Sequence, residues 1–382
     1  MILQYELEKL IKNKTFLMTS IITLLVISGI FLVGYHYSQL TYAEQTNTDK
    51  GYPEYYSEIT KKHTGEFNDQ KVKEVLSDYI DRYQSEGVEQ RPLDVFSWSI
   101  AETFFPKGED IYLKMNDAMD NGEKITLDQI KVQTLQDVGF ASLNTPLKLG
   151  GYNTWGDLFK VTNYLFLLAS LLIIFICSSV FAGETASNIN QLLFSTVNGR
   201  GKLTVIKIIS ATGVSILIFF IIQLISFAFF YFYYGISGWD ASIQTNFSMI
   251  LYSFPVEMNN LQVYFLVIGV QMVGLVSIVG ITLLISSMVK SPFVSLAVSL
   301  GVFFLPYLLG QVFQTGIVAK ILNLFPIQHY QVEEMLTIMQ TDTVFFFSTF
   351  IWNVILTICI GIVIKIIAYL TICFKIKHMQ VR

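Results

Sequence analysis

Charge is scarce in this chain. Of its 382 residues only 14% are Asp, Glu, Lys or Arg, about half of the roughly 25% found in an ordinary soluble domain. That shortage excludes a disordered polymer and a typical cytosolic enzyme. Cysteine is scarcer still: Cys177, Cys359 and Cys373 all lie inside apolar runs, so neither a disulfide framework nor a metal-binding spacing exists. The four histidines, His36, His63, His329 and His378, form no cluster with Asp or Glu that suggests a metal site, and no Ser/His/Asp set can be assembled. Glu333-Glu334 lacks the Arg of a Glu-Glu-x-x-x-Arg intramembrane protease, because Met335-Leu-Thr-Ile-Met follows. No G-x-x-x-x-G-K-[ST] pattern occurs either, so the chain does not hydrolyse ATP through a P-loop. An enzyme is not expected, and neither is a nucleic-acid partner.

What the chain has instead is long hydrophobic runs. Hydrophobic residues make up 53% of it, and the mean hydropathy is +0.53. A bilayer core about 30 Å thick needs roughly 20 apolar residues per helical span. Six stretches qualify: 15–35, 161–182, 203–234, 263–288, 293–313 and 344–374. They are apolar on all faces, which excludes the alternation of a transmembrane barrel. The expected fold class is an all-α membrane protein with a six-helix transmembrane bundle. The first run is too long for the core of a signal peptide, and no small-x-small cleavage site follows it.

Lys and Arg in the short loops orient the bundle. With the N-terminus inside, the inner segments hold Lys9, Lys12, Lys14, Arg200, Lys202, Lys207, Lys290, Lys375, Lys377 and Arg382, against Lys320 alone in the short outer loops near 235–262 and 314–343. Both termini, including the tail 375–382, are therefore expected in the cytoplasm. Residues 36–158, with 21 acidic and 12 basic side chains, read as a mainly helical extracytoplasmic domain. Within it Val72, Val75, Leu76, Tyr79, Ile80 and Tyr83 share one helical face, with Asn68 or Asp69 as N-cap. Further helical patterns cover 92–105 and 110–119. Residues 1–14 place Ile2, Leu3, Leu7, Leu10 and Ile11 on one face, the spacing of a helix lying in the interface plane.

Some polar residues stand out in the apolar runs. Lys365 has a stem long enough to snorkel toward the inner headgroups, and Gln223 and Asn353 read as interhelical glue. Gly269, Gly274, Ser277 and Gly280 form one small-residue face, available to packing within the protomer or between protomers. The aromatic run 227–234 suits an interfacial belt.

The most informative stretch, 183–202, joins the second and third spans. It is mixed in polarity, with Leu192 and Leu193 at its centre and cations at its end. A short amphipathic helix there suits a groove on a partner; the same cations also serve topology and anionic lipid. Glu184, Asn188, Leu192-Leu193, Ser195-Thr196, Arg200 and Lys207 fall at the offsets of a motif that resembles the signature of permease subunits in the bacterial ABC type-2 exporter family. Asn188 replaces a Gly and Val197 a Pro; Asn is the residue next best suited to a left-handed backbone position, and Gly199 is placed to end the turn. The six spans, the N-terminal interfacial helix, the domain between spans one and two and a possible re-entrant hairpin at 323–330, within the outer loop 314–343, also resemble one branch of that family.

The resemblance implies a function. The segment would be a coupling helix docking on a cytosolic ABC ATPase, present in two copies and binding ATP and Mg, with no cofactor in this chain. Glu184 and Arg200 would position the helix, Leu192 and Leu193 would touch the ATPase, and Asn188 and Lys207 complete the expected coupling residues. A second permease copy or a paralogue and membrane lipids complete the expected partners, and outward transport of an amphipathic peptide, lipid or drug is the expected activity. Two alternatives stay open: a resistance permease that senses antimicrobial peptides and signals to a kinase, and a non-transporting membrane scaffold.

Overall fold

The computed structural model describes residues 2–12, 14–37, 52–85, 94–196 and 199–378. Its helices are α1 (Ile2–Ile11), α2 (Lys14–Tyr37), α3 (Tyr52–His63), α4 (Asp69–Ser85), α5 (Val95–Phe104), α6 (Ile111–Asp120), α7 (Leu135–Val138), α8 (Asn153–Ser178), α9 (Ala182–Ala186), α10 (Ile189–Phe194), α11 (Lys202–Phe232), α12 (Asn260–Met288), α13 (Pro292–Gly310), α14 (Gly316–Leu322), α15 (Val332–Ile338) and α16 (Phe350–Lys377). Two short strands, β1 (Gly65–Phe67) and β2 (Leu147–Leu149), pair antiparallel with Glu66 opposite Lys148. Expectations that rest on Pro92, on Val197 and on residues 379–382 lie outside the described residues. So do most side chains of the expected apolar face of α1.

Among the described residues five stretches are long and apolar enough to cross a membrane: α8 continued through α9, then α11, α12, α13 and α16. The sixth expected span falls on α2, whose described apolar stretch, Met18–Gly34, is shorter. Two span ends differ from expectation for local reasons. α8 begins at Asn153 rather than near 161, because its first turns carry the fully buried Trp155 and Leu158. α16 begins at Phe350 rather than 344. The Asn353 amide donates to the Met339 and Phe347 carbonyls at 3.0 and 2.7 Å, and its oxygen accepts from Phe347 N at 2.9 Å. Asn353 thus pins the preceding turn rather than gluing helices together.

The chain divides into two compact units, one of Met1–Ile30, Thr162–Ser226 and Leu266–Arg382, the other of Phe31–Val161 and Phe227–Phe265. In the first unit the small residues of α12 seat neighbours of the same chain. A Cβ on Gly280 would stand 3.0 Å from the Lys365 side chain, and one on Gly274 would stand 3.0 Å from Pro326. Both positions are therefore used within the protomer. Between α13 and α16, α14 leads into a 3₁₀ turn at Pro326–His329 and then α15. The buried His329 ring there bonds the Asn323 carbonyl at 2.7 Å.

The second unit has a soluble-type core of Val72, Leu76 and Ile80 on α4, Phe96, Ile100 and Phe104 on α5, and Tyr152. Asn68 is the cap of α4, its oxygen accepting from Lys71 N at 2.9 Å, whereas Asp69 accepts from Leu135 N at 2.8 Å and ties in α7. Asp94 and Asp110 cap α5 and α6 in the same way, each at 2.9 Å. The stretch expected to be a short loop between the third and fourth spans is instead built into this unit. Phe247 joins its core with Tyr252 packed against it, and Ser242 N and Ala141 N bond the Lys148 and Tyr252 carbonyls at 2.9 and 2.8 Å. Its aromatic residues follow neither a helical nor a strand period, so the sequence pattern shows no element there.

Candidate functional site

The segment after α8 is a helix, a break and a second helix. α8 stops at Ser178, and the freed backbone groups are gathered by Ser286 on α12. Its hydroxyl donates to the Ser178 carbonyl at 2.8 Å and accepts from Phe181 N and Ala182 N at 3.1 and 3.0 Å. A single buried serine thereby satisfies both sides of the interruption, which matters because unpaired buried backbone groups are costly. Sequence reasoning missed Ser286; it is one of several serines in α12, and nothing local distinguishes it.

α9 follows and carries Glu184. Glu184 and Lys207, 23 positions apart on α9 and α11, are both buried and form an ion pair. The Lys207 ammonium also stands 5.9 Å from the centre of the Phe181 ring, within the range of a cation–π attraction. Two buried charges compensate only while both are present, so the pair ties α9 to the first turns of α11.

The chain then turns at Asn188, whose φ of +57° lies in the left-handed region. Asparagine tolerates that region better than other side chains except glycine. α10 leaves the turn with Ile189 47% and Leu192 71% exposed, while Leu193 is half-buried. At its end the Thr196 hydroxyl donates to the Leu193 carbonyl at 2.7 Å. A Cβ on Gly199 would collide with that same carbonyl oxygen, so only glycine fits there. Arg200 is half-buried in the turn that leads to α11. Of the six expected positions, the structure thus joins Glu184 with Lys207, puts Asn188 at the bend, turns Leu192 outward and leaves Leu193 and Arg200 at intermediate depth.

Lys365 has a hydrogen-bond partner that its sequence surroundings do not announce. It stands 12 residues before the end of α16, roughly 18 Å along the helix axis. Its ammonium donates to the Thr212 hydroxyl of α11 at 2.7 Å. The Thr212 hydroxyl spends its own proton on the Ile208 carbonyl at 2.7 Å, which leaves its oxygen free to accept.

The five apolar stretches of spanning length among the described residues mark a multi-pass membrane protein. A family model described as ABC-2 family transporter protein matches residues 1–375, and the chain belongs to that family. Membership implies a cooperating ATPase in general. No curated protein matches the chain, and no solved structure does.

Proposed function

We propose that this chain is the permease subunit of an ATP-driven exporter whose ATPase is a separate cytosolic subunit, and that α9 through Arg200 is its coupling segment. The observation that carries the reading is an apolar pair of side chains, Ile189 and Leu192, held outward on a short helix whose base is anchored by the buried Glu184–Lys207 pair. An exposed apolar tip on a fixed stem is what a groove on a partner needs in order to move the stem. Closure of two ATPase subunits on ATP and Mg would push α10, and the ion pair would pass that displacement to α8 and α11. In this reading α2 completes six spans, both termini are cytoplasmic, and the unit around α4 and α5 lies outside. The protein works with a second permease copy or a paralogue in the bacterial cell membrane and expels an amphipathic substrate.

The test is co-purification from the native membrane. Leu192→Asp combined with Leu193→Asp is expected to insert normally and to lose the stoichiometric P-loop ATPase that accompanies the wild-type chain. Recovery of the complete complex from the double variant would overturn the proposal.

A further inference from the structure

The second unit holds a groove of about 640 Å³, inside the 300–1,000 Å³ range of small-molecule sites. One wall is α3. Glu54, Ser57 and Lys61 line it and share a helical face, with Glu54 and Lys61 two turns or roughly 10 Å apart. The other wall is aromatic: Phe232, Tyr233 and Tyr234 at the end of α11, with Phe232 83% and Tyr233 54% exposed.

The turn beneath this wall is held rigidly. Gly238 has a φ of +69°, and a Cβ on it would come 2.6 Å from the backbone of Gly151, so two backbones meet there. The Ser237 carbonyl accepts from the Trp155 indole at 2.7 Å, and the Tyr56 hydroxyl donates to the Asn153 side chain at 2.9 Å. A groove with such a base needs little reorganisation to bind.

Its charges specify a ligand. The lining carboxylate Asp240 is paired with Lys148 at 3.3 Å. Among the described residues Glu54 and Lys61 have no ion-pair partner, so the groove offers one acid and one base on a single face opposite aromatic rings. A cation is attracted both to a carboxylate and to ring faces, and an anion to the ammonium of Lys61 with the Ser57 hydroxyl beside it. The rings close a helix of spanning length and composition, the position of an interfacial aromatic belt. An apolar tail can therefore stay in lipid while its head group sits in the groove. We propose that this groove binds the zwitterionic ammonium-phosphate head group of an amphipath. This needs no ATPase and stands independently of the coupling segment.

The test uses the full-length chain purified in maltoside. Acyl-chain-labelled fluorescent phosphatidylcholine and phosphatidylglycerol are offered at equal mole fraction, and retained lipid is counted. The zwitterionic probe is expected to be retained about fivefold over the anionic one. Glu54→Gln and Lys61→Gln each remove most of that preference, and Lys107→Gln, an exposed position elsewhere, leaves it intact. Unchanged circular-dichroism melts keep the comparison meaningful. Displacement by glycerophosphocholine would support the site and make the source a soluble head group; displacement only by unlabelled phosphatidylcholine would support it and make the source the membrane. Equal retention of both lipids, or retention indifferent to both substitutions, would overturn the proposal.

Discussion

In the unit built from the apolar helices, Glu184 and Lys207 are both buried and paired with each other. In the unit around α4 and α5, Asp78 is reached by Lys62, by the buried His63 at 2.9 Å and by Arg82 at 3.1 Å, and Arg82 continues to Asp94 at 2.7 Å. Both side chains of the first pair are less than a tenth exposed, whereas Lys62 and Asp78 in the second meet solvent at 59% and 20% exposure. Loss of an ion-pair partner should therefore cost more in the first, away from water, than in the second, where solvent and the remaining cations still reach Asp78.

The largest expected effect breaks the buried pair. Lys207→Met removes the ammonium that is paired with the buried Glu184, a loss of about 3–5 kcal/mol. Adding Glu184→Leu to the same chain should recover most of that loss, as an apolar replacement of a buried pair does. Thermal unfolding in detergent checks both variants; a double variant as unstable as Lys207→Met would show that the pair is not the unit that matters.

A smaller effect is expected from Arg82→Ala, about 2 kcal/mol. Asp94 loses its ion pair but keeps its bond to Ser97 N at 2.9 Å, and charged hydrogen bonds contribute roughly 1.5–3 kcal/mol. Tryptophan fluorescence reports this change, because Trp98, Trp155 and Trp239 all belong to that unit. A loss as large as that of Lys207→Met would erase the contrast between the units.

The smallest effect concerns acid. Burial raises the Asp78 carboxyl, but hydrogen bonds from Lys62 and His63 and the charge of Arg82 outweigh it and hold the group below its ordinary value. A depressed carboxylate contributes stability that is complete above the unfolded value, about 3.9, and lost as pH falls through the lower folded value. The melting temperature should therefore decline on acidification below about pH 4. Asp78→Asn should flatten that decline, and an identical acid profile in the variant would remove Asp78 as its cause.

Legibility in the sequence follows the range of the interaction. The buried face of α4 and the Asn68 cap were readable because 3.6-residue periodicity and a cap lie within one segment. Asn188 was readable as a left-handed position because its backbone demand is local. The bond from Lys365 to Thr212 was not, since the two lie 153 positions apart and no local pattern ties them together. Ser286 was hidden for the same reason, being 104 and 105 positions from the amides it receives. The packing of Phe247 and Tyr252 into the second unit escaped notice because an irregular segment carries no period. The coupling motif itself was visible only as a set of offsets; its ion pair needed the fold.

The measurement that tests the coupling segment most directly is a photo-crosslink. A benzophenone amino acid replaces Leu192 in one chain and, as control, the exposed Leu370 of α16 in another, and each is irradiated in its native membrane. The account predicts an adduct with a P-loop ATPase from position 192 and none from 370. An adduct with that ATPase from 370 but not from 192, or from neither, would contradict it.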